Sequence, residues 1–173
     1  MFWLKSGLFA VGLGMSFVYA IIPPLARDLG LSEIQASFIF SLSAVAWAMT
    51  SAPWGRASDK YGRRNIAILG YIGYSISMII LILPIYLADK NILSAAFVFP
   101  LLILGRTIYG LLGSATRPAS FAYIADITPK SKRTKKFARF ESNFLLGTLV
   151  GPLLGGYLYL SLIHISEPTR LTS

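Results

Sequence analysis

The residues best placed for chemistry lie in the segment GRASDKYGRR, residues 55–64. Asp59 is a lone carboxylate there, among four basic residues: Arg56, Lys60, Arg63 and Arg64. A carboxylate in this setting can pair with an arginine or cap a helix N-terminus. Gly55 and Gly62 let the backbone turn tightly and let two helices approach closely. The segment predicts either a specific charge pair in a tight helical turn or an ordinary basic turn that anchors topology.

Two arginines lie inside an otherwise apolar stretch. Arg106 and Arg117 are eleven residues apart, and at about 100° per residue they share one face of a straight helix, close to Gly110. An arginine at membrane depth is costly unless it faces water or a partner, so a lipid-facing position is not expected. For Arg117 the alternative is an interfacial position beside Pro118, with the side chain reaching to the membrane surface.

A third pattern is the segment GTLVGPLLGG, residues 147–156. Gly147, Gly151 and Gly155 recur every four residues, which makes a stripe where another helix backbone can come close. Pro152 frees a backbone carbonyl and bends the helix, which is tolerated where neighbours or water satisfy that carbonyl. The pattern predicts a tight helix–helix contact with a bend.

Other chemistry is not indicated. The sequence contains one histidine and no cysteine, and no carboxylate pair or nucleophile constellation is visible. We therefore expect no enzyme, no catalytic residue, no metal and no cofactor. The basic runs do not resemble a nucleic-acid-binding module, and attraction to lipid headgroups is their simpler consequence.

Membrane helices must position these residues. The chain is 55% hydrophobic and only 13% charged, a composition that no soluble fold of 173 residues could bury. A helix needs about 20 apolar residues to cross a bilayer. Stretches that qualify are 7–25, 34–52, 66–87, 97–124 and 140–158. The fourth is too long for a simple span, and we expect Pro118 to kink it.

Charge placement predicts the orientation. The loop after the second span is basic, and so is the loop after the fourth, which contains Lys130, Lys132, Arg133, Lys135, Lys136 and Arg139. The opposite loops contain only Arg27 and Lys90 as basic residues. By the positive-inside rule the two basic loops are cytoplasmic, and so is the N-terminus.

The motifs resemble those of the major facilitator superfamily. Its loop between helices 2 and 3 reads G-x-x-x-D-x-x-G-R-[RK], matched by Gly55, Asp59, Gly62, Arg63 and Arg64. Its helix 4 motif R-x-x-x-G is matched by Arg106 and Gly110. The segment at 147–156 is similar to the G-x-x-x-G-P-x-x-G-G signature of the drug:proton antiporter branch, matched by Gly147, Gly151, Pro152, Gly155 and Gly156. The string AYIADIT at 122–128 resembles the tetracycline-exporter branch.

The resemblance implies an all-α membrane protein with five helices of a truncated twelve-helix fold. The loop motif would be a latch between two six-helix halves, and Arg106 would serve proton coupling or organise the central cavity, with Gly110 and Arg117 on the same helix. The implied function is export of small amphipathic compounds from the cell by alternating access, with protons as a candidate coupling ion. The implied partners are the bilayer of the cell membrane, the substrate and the missing C-terminal half.

One departure concerns the coupling acid. Many drug:proton antiporters carry a membrane-embedded carboxylate in helix 1 or helix 3, and neither predicted span contains one. The acids map instead to loops or helix ends: Asp28, Glu33, Asp59, Asp89, Asp126 and Glu141. The coupling acid then lies in the missing half, or coupling differs.

The C-terminal segment has a different character. Residues 160–170, LSLIHISEPTR, resemble an in-frame translation of a sequencing adaptor. We expect 1–159 to be a partial transmembrane bundle and 160–173 to be a non-native tail, with a short extracellular loop as the alternative. Two other functions stay open: a metabolite or sugar permease of the same superfamily, and a short membrane protein that binds a partner through its glycine stripe without transporting.

Overall fold

A computed structural model describes residues 2–28, 30–89 and 92–166. Throughout these residues the regular structure is helical, in the order α1 (Phe2–Asp28), α2 (Glu33–Tyr61), α3 (Arg63–Asp89), α4 (Ala95–Leu112), α5 (Thr116–Asp126) and α6 (Arg133–Ser166). The chain divides into two compact units, one formed by residues 1–28 with 139–173 and the other by residues 29–138.

Four stretches of the described chain are long and apolar enough to cross a membrane: Trp3–Arg27, Glu33–Tyr61, Arg63–Leu87 and Phe97–Asp126. They coincide with the first four predicted spans. This confirms an all-α, membrane-spanning fold. The fifth span, 140–158, falls within α6, which is not among the four, so it stays a prediction together with the orientation of the N-terminus.

The predicted tail lies partly outside the described residues. Helix α6 continues through residues 160–166, whereas 167–173 are not described. The non-native origin of 160–173 therefore stays a prediction.

The start of α2 is fixed by its own sequence. Ser32 accepts a hydrogen bond from the Gln35 backbone N–H at 3.2 Å, and the Gln35 side chain accepts one from the Ser32 N–H at 2.9 Å. This reciprocal arrangement satisfies two backbone donors that the first turn of a helix leaves open. Gly30, in the preceding turn, has a φ of 71°, which glycine adopts without steric strain.

The fourth predicted span is two helices rather than one. Helix α4 ends at Leu112, a turn of 3-10 helix occupies Gly113–Ala115, and α5 begins at Thr116. The break thus lies three to five residues before Pro118, which was predicted to kink this span. A proline ring clashes with the carbonyl four residues before it, here that of Ser114, so the distortion appears on the N-terminal side. Pro118 itself lies in the first turn of α5, where its missing N–H is tolerated.

Side chains of α2 satisfy the backbone at this break. The indole Nε1 of Trp54 donates to the carbonyl oxygen of Leu111 at 2.6 Å. The Thr50 hydroxyl lies 2.9 Å from the carbonyl oxygen of Gly110 and 2.8 Å from Oγ of Ser114. Inside a membrane, backbone carbonyl groups that lack a partner in their own helix must accept hydrogen bonds from neighbouring helices. These side chains of α2 provide such bonds.

Helix α3 packs closely against the same break. A Cβ added at Gly70 would lie 2.5 Å from the Thr116 backbone nitrogen, and one added at Gly73 would overlap the Leu112 side chain. Glycine at both positions lets α3 approach the backbone of the break directly. Residues 113–115 are fully buried as a result.

Candidate functional site

The turn between α2 and α3 is a single residue long. Helix α2 ends at Tyr61, Gly62 follows with a φ of 94°, and α3 begins at Arg63. A positive φ of this size is costly for residues that carry a Cβ, so glycine is what allows two long helices to join here. The turn places Asp59, in the last turn of α2, next to the first residue of α3.

Arg63 is the centre of a charged cluster. Its Nη1 contacts Asp59 Oδ1 and donates to Ser58 Oγ at 2.9 Å, and its Nε donates to Asp126 Oδ2 at 3.1 Å. Asp126 is the last residue of α5. One guanidinium therefore connects the end of α2, the start of α3 and the end of α5 through charge-assisted hydrogen bonds. We refer to Asp59, Arg63 and Asp126 as the charge latch.

The charge latch is accessible to water. The side chains of Arg63, Asp59 and Asp126 are 28%, 59% and 57% exposed. Ion pairs this exposed contribute only about 0–1 kcal/mol each to stability. Loss of one of these contacts is therefore compatible with the fold.

Arg106 occupies a different environment, at 1% exposure. Its guanidinium carbon lies 5.1 Å from the Phe40 ring centroid on α2 and 5.0 Å from the Tyr109 ring centroid on its own helix. The Tyr109 ring in turn meets Tyr74 of α3 edge to face, with centroids 6.0 Å apart. Aromatic faces stabilise a cation that has left water, so the arginine is held between α2, α3 and α4.

Gly110 lies one turn after Arg106 and marks a close contact with α2. A Cβ at this position would lie 2.6 Å from the Ser43 carbonyl oxygen and 2.7 Å from the Ala46 Cβ. Any larger residue would push α4 away from α2 and would move Arg106 relative to Phe40.

The glycine stripe of α6 packs against α1 in the other unit. A Cβ at Gly147 would overlap the Phe9 carbonyl oxygen and would lie 2.7 Å from the Leu13 nitrogen. A Cβ at Gly151 would overlap Ser16 Oγ and would lie 2.5 Å from the Leu13 carbonyl oxygen. The stripe continues at Gly155, where a Cβ would lie 3.3 Å from the Ala20 Cβ.

The other two residues of the helix-5 motif lie away from this contact. Pro152 is exposed, and a Cβ at Gly156 would have no heavy atom within 4 Å. Among the described residues no cluster of three or more histidine, cysteine, aspartate or glutamate side chains could hold a metal ion.

Comparison with known proteins identifies the family. The profile of the Major Facilitator Superfamily matches residues 6–166. The chain belongs to this superfamily. Its curated relatives include the class B tetracycline resistance protein of Escherichia coli, 34% identical over 148 residues, and the quinolone resistance protein NorA of Staphylococcus aureus, 26% identical over 157 residues.

These matches cover most of the chain but only part of each relative. They include 84% and 91% of the chain, against 34% and 37% of the tetracycline and quinolone resistance proteins. The chain thus spans about a third of the length of the curated relatives it matches. The match confirms the predicted superfamily, and with four spans the chain is a multi-pass protein of the cell membrane.

The motif residues of this Major Facilitator Superfamily chain fall into distinct groups. In the loop motif, Asp59 and Arg63 are in contact, and Gly62 makes the turn. A Cβ added at Gly55 would lie 4.0 Å from the Pro118 Cβ, and Arg64 is exposed. Asp126 was not predicted as a partner, although it lies in the superfamily-like string at 122–128. The functional role of each motif stays a prediction.

Arg106 and Arg117 were predicted to share one face on the assumption that both lie on one straight helix. That assumption is wrong. The two lie on α4 and α5, with a 3-10 turn between them. Three residues at about 120° instead of 100° rotate the second helix by roughly 60° relative to the first. Arg106 is fully buried, whereas Arg117 is half-buried.

Glu141 also differs from its predicted position at a helix end. Because α6 begins at Arg133, Glu141 lies two turns inside the helix. Its side chain is half-buried, and its Oε2 atom is shielded from solvent. Asp59 and Asp126 do lie at helix ends, as predicted.

Proposed function

We propose that this chain forms part of a secondary exporter of small amphipathic compounds, with alternating access as its mechanism. The observation that carries the proposal is the charge latch in a chain of this superfamily. The direction of transport is supported by two relatives whose names describe resistance to tetracycline and to quinolones. A membrane transporter confers resistance by removing the compound from the cell. We expected no enzymatic activity from the sequence, and a transport role agrees with that expectation.

In this proposal the charge latch holds one conformation of the transporter. Arg63 fastens the end of α5 to the turn between α2 and α3 through two half-exposed carboxylates. Because each contact is weak, a small change in binding energy at the substrate site is enough to shift the population between two states. In a twelve-helix transporter, a second six-helix half would supply the surface against which these helices move.

Arg106 is proposed to organise the wall of the substrate cavity. Its burial between Phe40 and Tyr109 fixes the relative positions of α2 and α4, and Gly110 keeps these helices close. Coupling to protons rests on the resemblance of the motif at 147–156 to the antiporter signature. The acid that carries the proton is not assigned.

The test is efflux by the complete reading frame in a bacterial strain that lacks its own exporters. Cells are loaded with a fluorescent amphipathic dye, and its loss is followed after energisation. Asp59→Asn should reduce efflux by about threefold to fivefold while leaving the amount of protein in the membrane unchanged, because loss of a contact of up to about 1 kcal/mol changes a population by up to about fivefold. Glu33→Gln, at the opposite end of α2, is the matched control and should transport normally.

The alternatives give different results in the same experiment. Unchanged efflux in Asp59→Asn would contradict the latch. Accumulation of a sugar or metabolite without dye efflux would favour a permease. DNA sequencing beyond the codon for Tyr159 decides whether a second half follows, and a frame that ended at Ser173 would favour the short interaction protein.

A further inference from the structure

Gly113 is the first residue of the break between α4 and α5. It is fully buried, and its backbone has a φ of −61° and a ψ of −27°. These angles are helical and open to every residue, and alanine is more favourable than glycine in a helical conformation. The backbone conformation therefore gives no reason for glycine at this position.

A neighbouring side chain does give a reason. A Cβ added at Gly113 would lie 2.8 Å from Cδ2 and 3.1 Å from Cε2 of the Tyr109 ring. Non-bonded carbon atoms rest about 3.5–4.0 Å apart, so contacts this short are repulsive. Glycine at 113 therefore keeps open the space that the Tyr109 ring occupies.

The same ring has two further contacts. The guanidinium carbon of Arg106 lies over the Tyr109 ring, 5.0 Å from its centroid. The Tyr74 ring of α3 meets it at an angle of 70°, with centroids 6.0 Å apart. Tyr74 and Tyr109 are each only 7% exposed. Because the interior of a protein is close-packed, a displacement of the ring at one of these contacts is felt at the others.

Tyr74 is held close to α4 by the packing around it. A Cβ added at Gly105 would lie 3.1 Å from Leu81 Cγ and 3.2 Å from the Ser77 carbonyl oxygen, both on α3. Ser77 lies one turn after Tyr74 and is fully buried. Helices α3 and α4 therefore touch directly beside Arg106, which leaves the Tyr74 ring little freedom to withdraw from Tyr109.

We propose that Gly113 and Tyr74 are positioning residues for Arg106 and that they act through the Tyr109 ring. The proposal rests on the role in transport that is proposed above for Arg106. Arg106, Tyr109 and Gly113 are three and four residues apart, so they lie along one face of the helix. Gly113 leaves room for the ring and Tyr74 meets it from α3, so the face of the ring is held against the cation.

A double-mutant cycle on thermal unfolding of the complete protein tests these contacts without any measurement of transport. Gly113→Ala is combined with Arg106→Lys, which removes the planar group that stacks on the ring. Distant residues without a shared partner have independent effects. Because both residues contact the Tyr109 ring, the double variant should lose less stability than the two single variants together. We expect the unfolding equilibrium constant to differ by at least about threefold from the product of the single effects.

Gly105→Ala is the matched control for this cycle. It is the same substitution on the same helix, and it also crowds a buried contact, with Leu81 and Ser77 rather than with the Tyr109 ring. Its effect on the unfolding equilibrium constant should combine with that of Arg106→Lys as a simple product, to within about twofold. If Gly113→Ala does not fold, the cycle of Tyr74→Leu with Arg106→Lys decides by the same criterion.

Tyr74 also allows a test in transport. Tyr74→Leu removes the aromatic pair with Tyr109, so dye efflux by the complete protein should fall by about twofold to tenfold at an unchanged amount of protein in the membrane. Tyr74→Phe keeps the ring and should restore efflux to within about twofold of the original protein. Equal losses in the two variants would contradict a role of the Tyr74 ring in positioning Arg106.

The outcomes separate this proposal from the transport role of Arg106. Independent effects of Gly113→Ala and Arg106→Lys on unfolding would overturn the positioning role, whatever the efflux results. Coupling of Gly105→Ala as strong as that of Gly113→Ala would also overturn it, because crowding of α4 in general would then be the cause. Coupling confined to Gly113→Ala, together with normal efflux in Arg106→Lys, would support the positioning contacts and contradict the transport role instead.

Discussion

Arg63 is the residue at which three helix ends meet. Its two carboxylate partners lie on different elements, Asp59 four residues earlier and Asp126 on α5, 63 residues away in the sequence. The sequence motif includes the first partner but not the second. Spacing within a helix can predict a pair four residues apart. A pair formed by packing of α5 beside the α2–α3 turn becomes visible only in the structure.

The Asp126 contact leads to a prediction about transport. Asp126→Asn leaves Arg63 with Asp59 alone, so the end of α5 is released while the turn between α2 and α3 is kept. We expect efflux by the complete protein to fall by about threefold to fivefold, as for Asp59→Asn, and thermal stability to fall by less than about 1 kcal/mol. Dye efflux and thermal unfolding measure the two quantities. A large loss of stability with normal efflux would mean that the contact is structural.

Arg106 gives a second prediction at the residue scale. Its guanidinium lies about 5 Å from each of two ring centroids. Arg106→Lys keeps the charge but loses the planar group that stacks on the rings, so we expect a loss of about 1–2 kcal/mol. In a double-mutant cycle with Phe40→Leu, the two changes should couple by about 0.5–2 kcal/mol. Additive effects would show that the ring does not stabilise the arginine.

Among the elements, the break between α4 and α5 shows what hydropathy can and cannot predict. Runs of apolar residues coincide with four helices that are long and apolar enough to cross a membrane, because length and apolarity are what a bilayer selects. Pro118 correctly indicated a disturbed helix. The break has hydrogen-bond partners on α2 and a close contact with α3, and these are tertiary contacts. Gly70 and Gly73 allow α3 to pack against the break, and they were not singled out in the sequence for the same reason.

The α2 partners of the break can be tested by substitution. Trp54→Phe removes the hydrogen bond to the Leu111 carbonyl but keeps an aromatic ring, so we expect a loss of about 1 kcal/mol in thermal unfolding. Trp47→Phe is the matched control on the same helix, since no indole hydrogen bond is found for Trp47 in the described structure. A loss in the control as large as that in Trp54→Phe would assign the effect to ring size.

The glycine stripe of α6 contains its own control. Gly147→Ala places a methyl group against the backbone of α1 at Phe9, so the helices must separate, and overpacking of this kind costs about 1–3 kcal/mol. Gly156→Ala meets no heavy atom within 4 Å and should be neutral or slightly stabilising, because alanine favours helix. Thermal unfolding of the two variants distinguishes them. Equal effects would mean that α1 does not pack on this stripe.

At the scale of the whole molecule, the distribution of charge predicts which end faces the cytoplasm. The charge latch brings the two basic segments, 56–64 and 126–136, to the same end of the unit formed by residues 29–138. They contain nine basic and two acidic residues. Because basic loops remain on the cytoplasmic side during insertion, this end should face the cell interior. The structure confirms that the two segments are adjacent and does not test the orientation.

Orientation can be measured directly because the chain contains no cysteine. Ser131, in the 3-10 turn between two lysines, and Ser94, before α4, are both exposed and lie at opposite ends of the span Phe97–Asp126. In intact cells a membrane-impermeant maleimide should label Ser94→Cys and not Ser131→Cys. In inverted vesicles the pattern should reverse. The opposite result would place the basic end outside, which would contradict the positive-inside prediction and exclude a cytoplasmic latch.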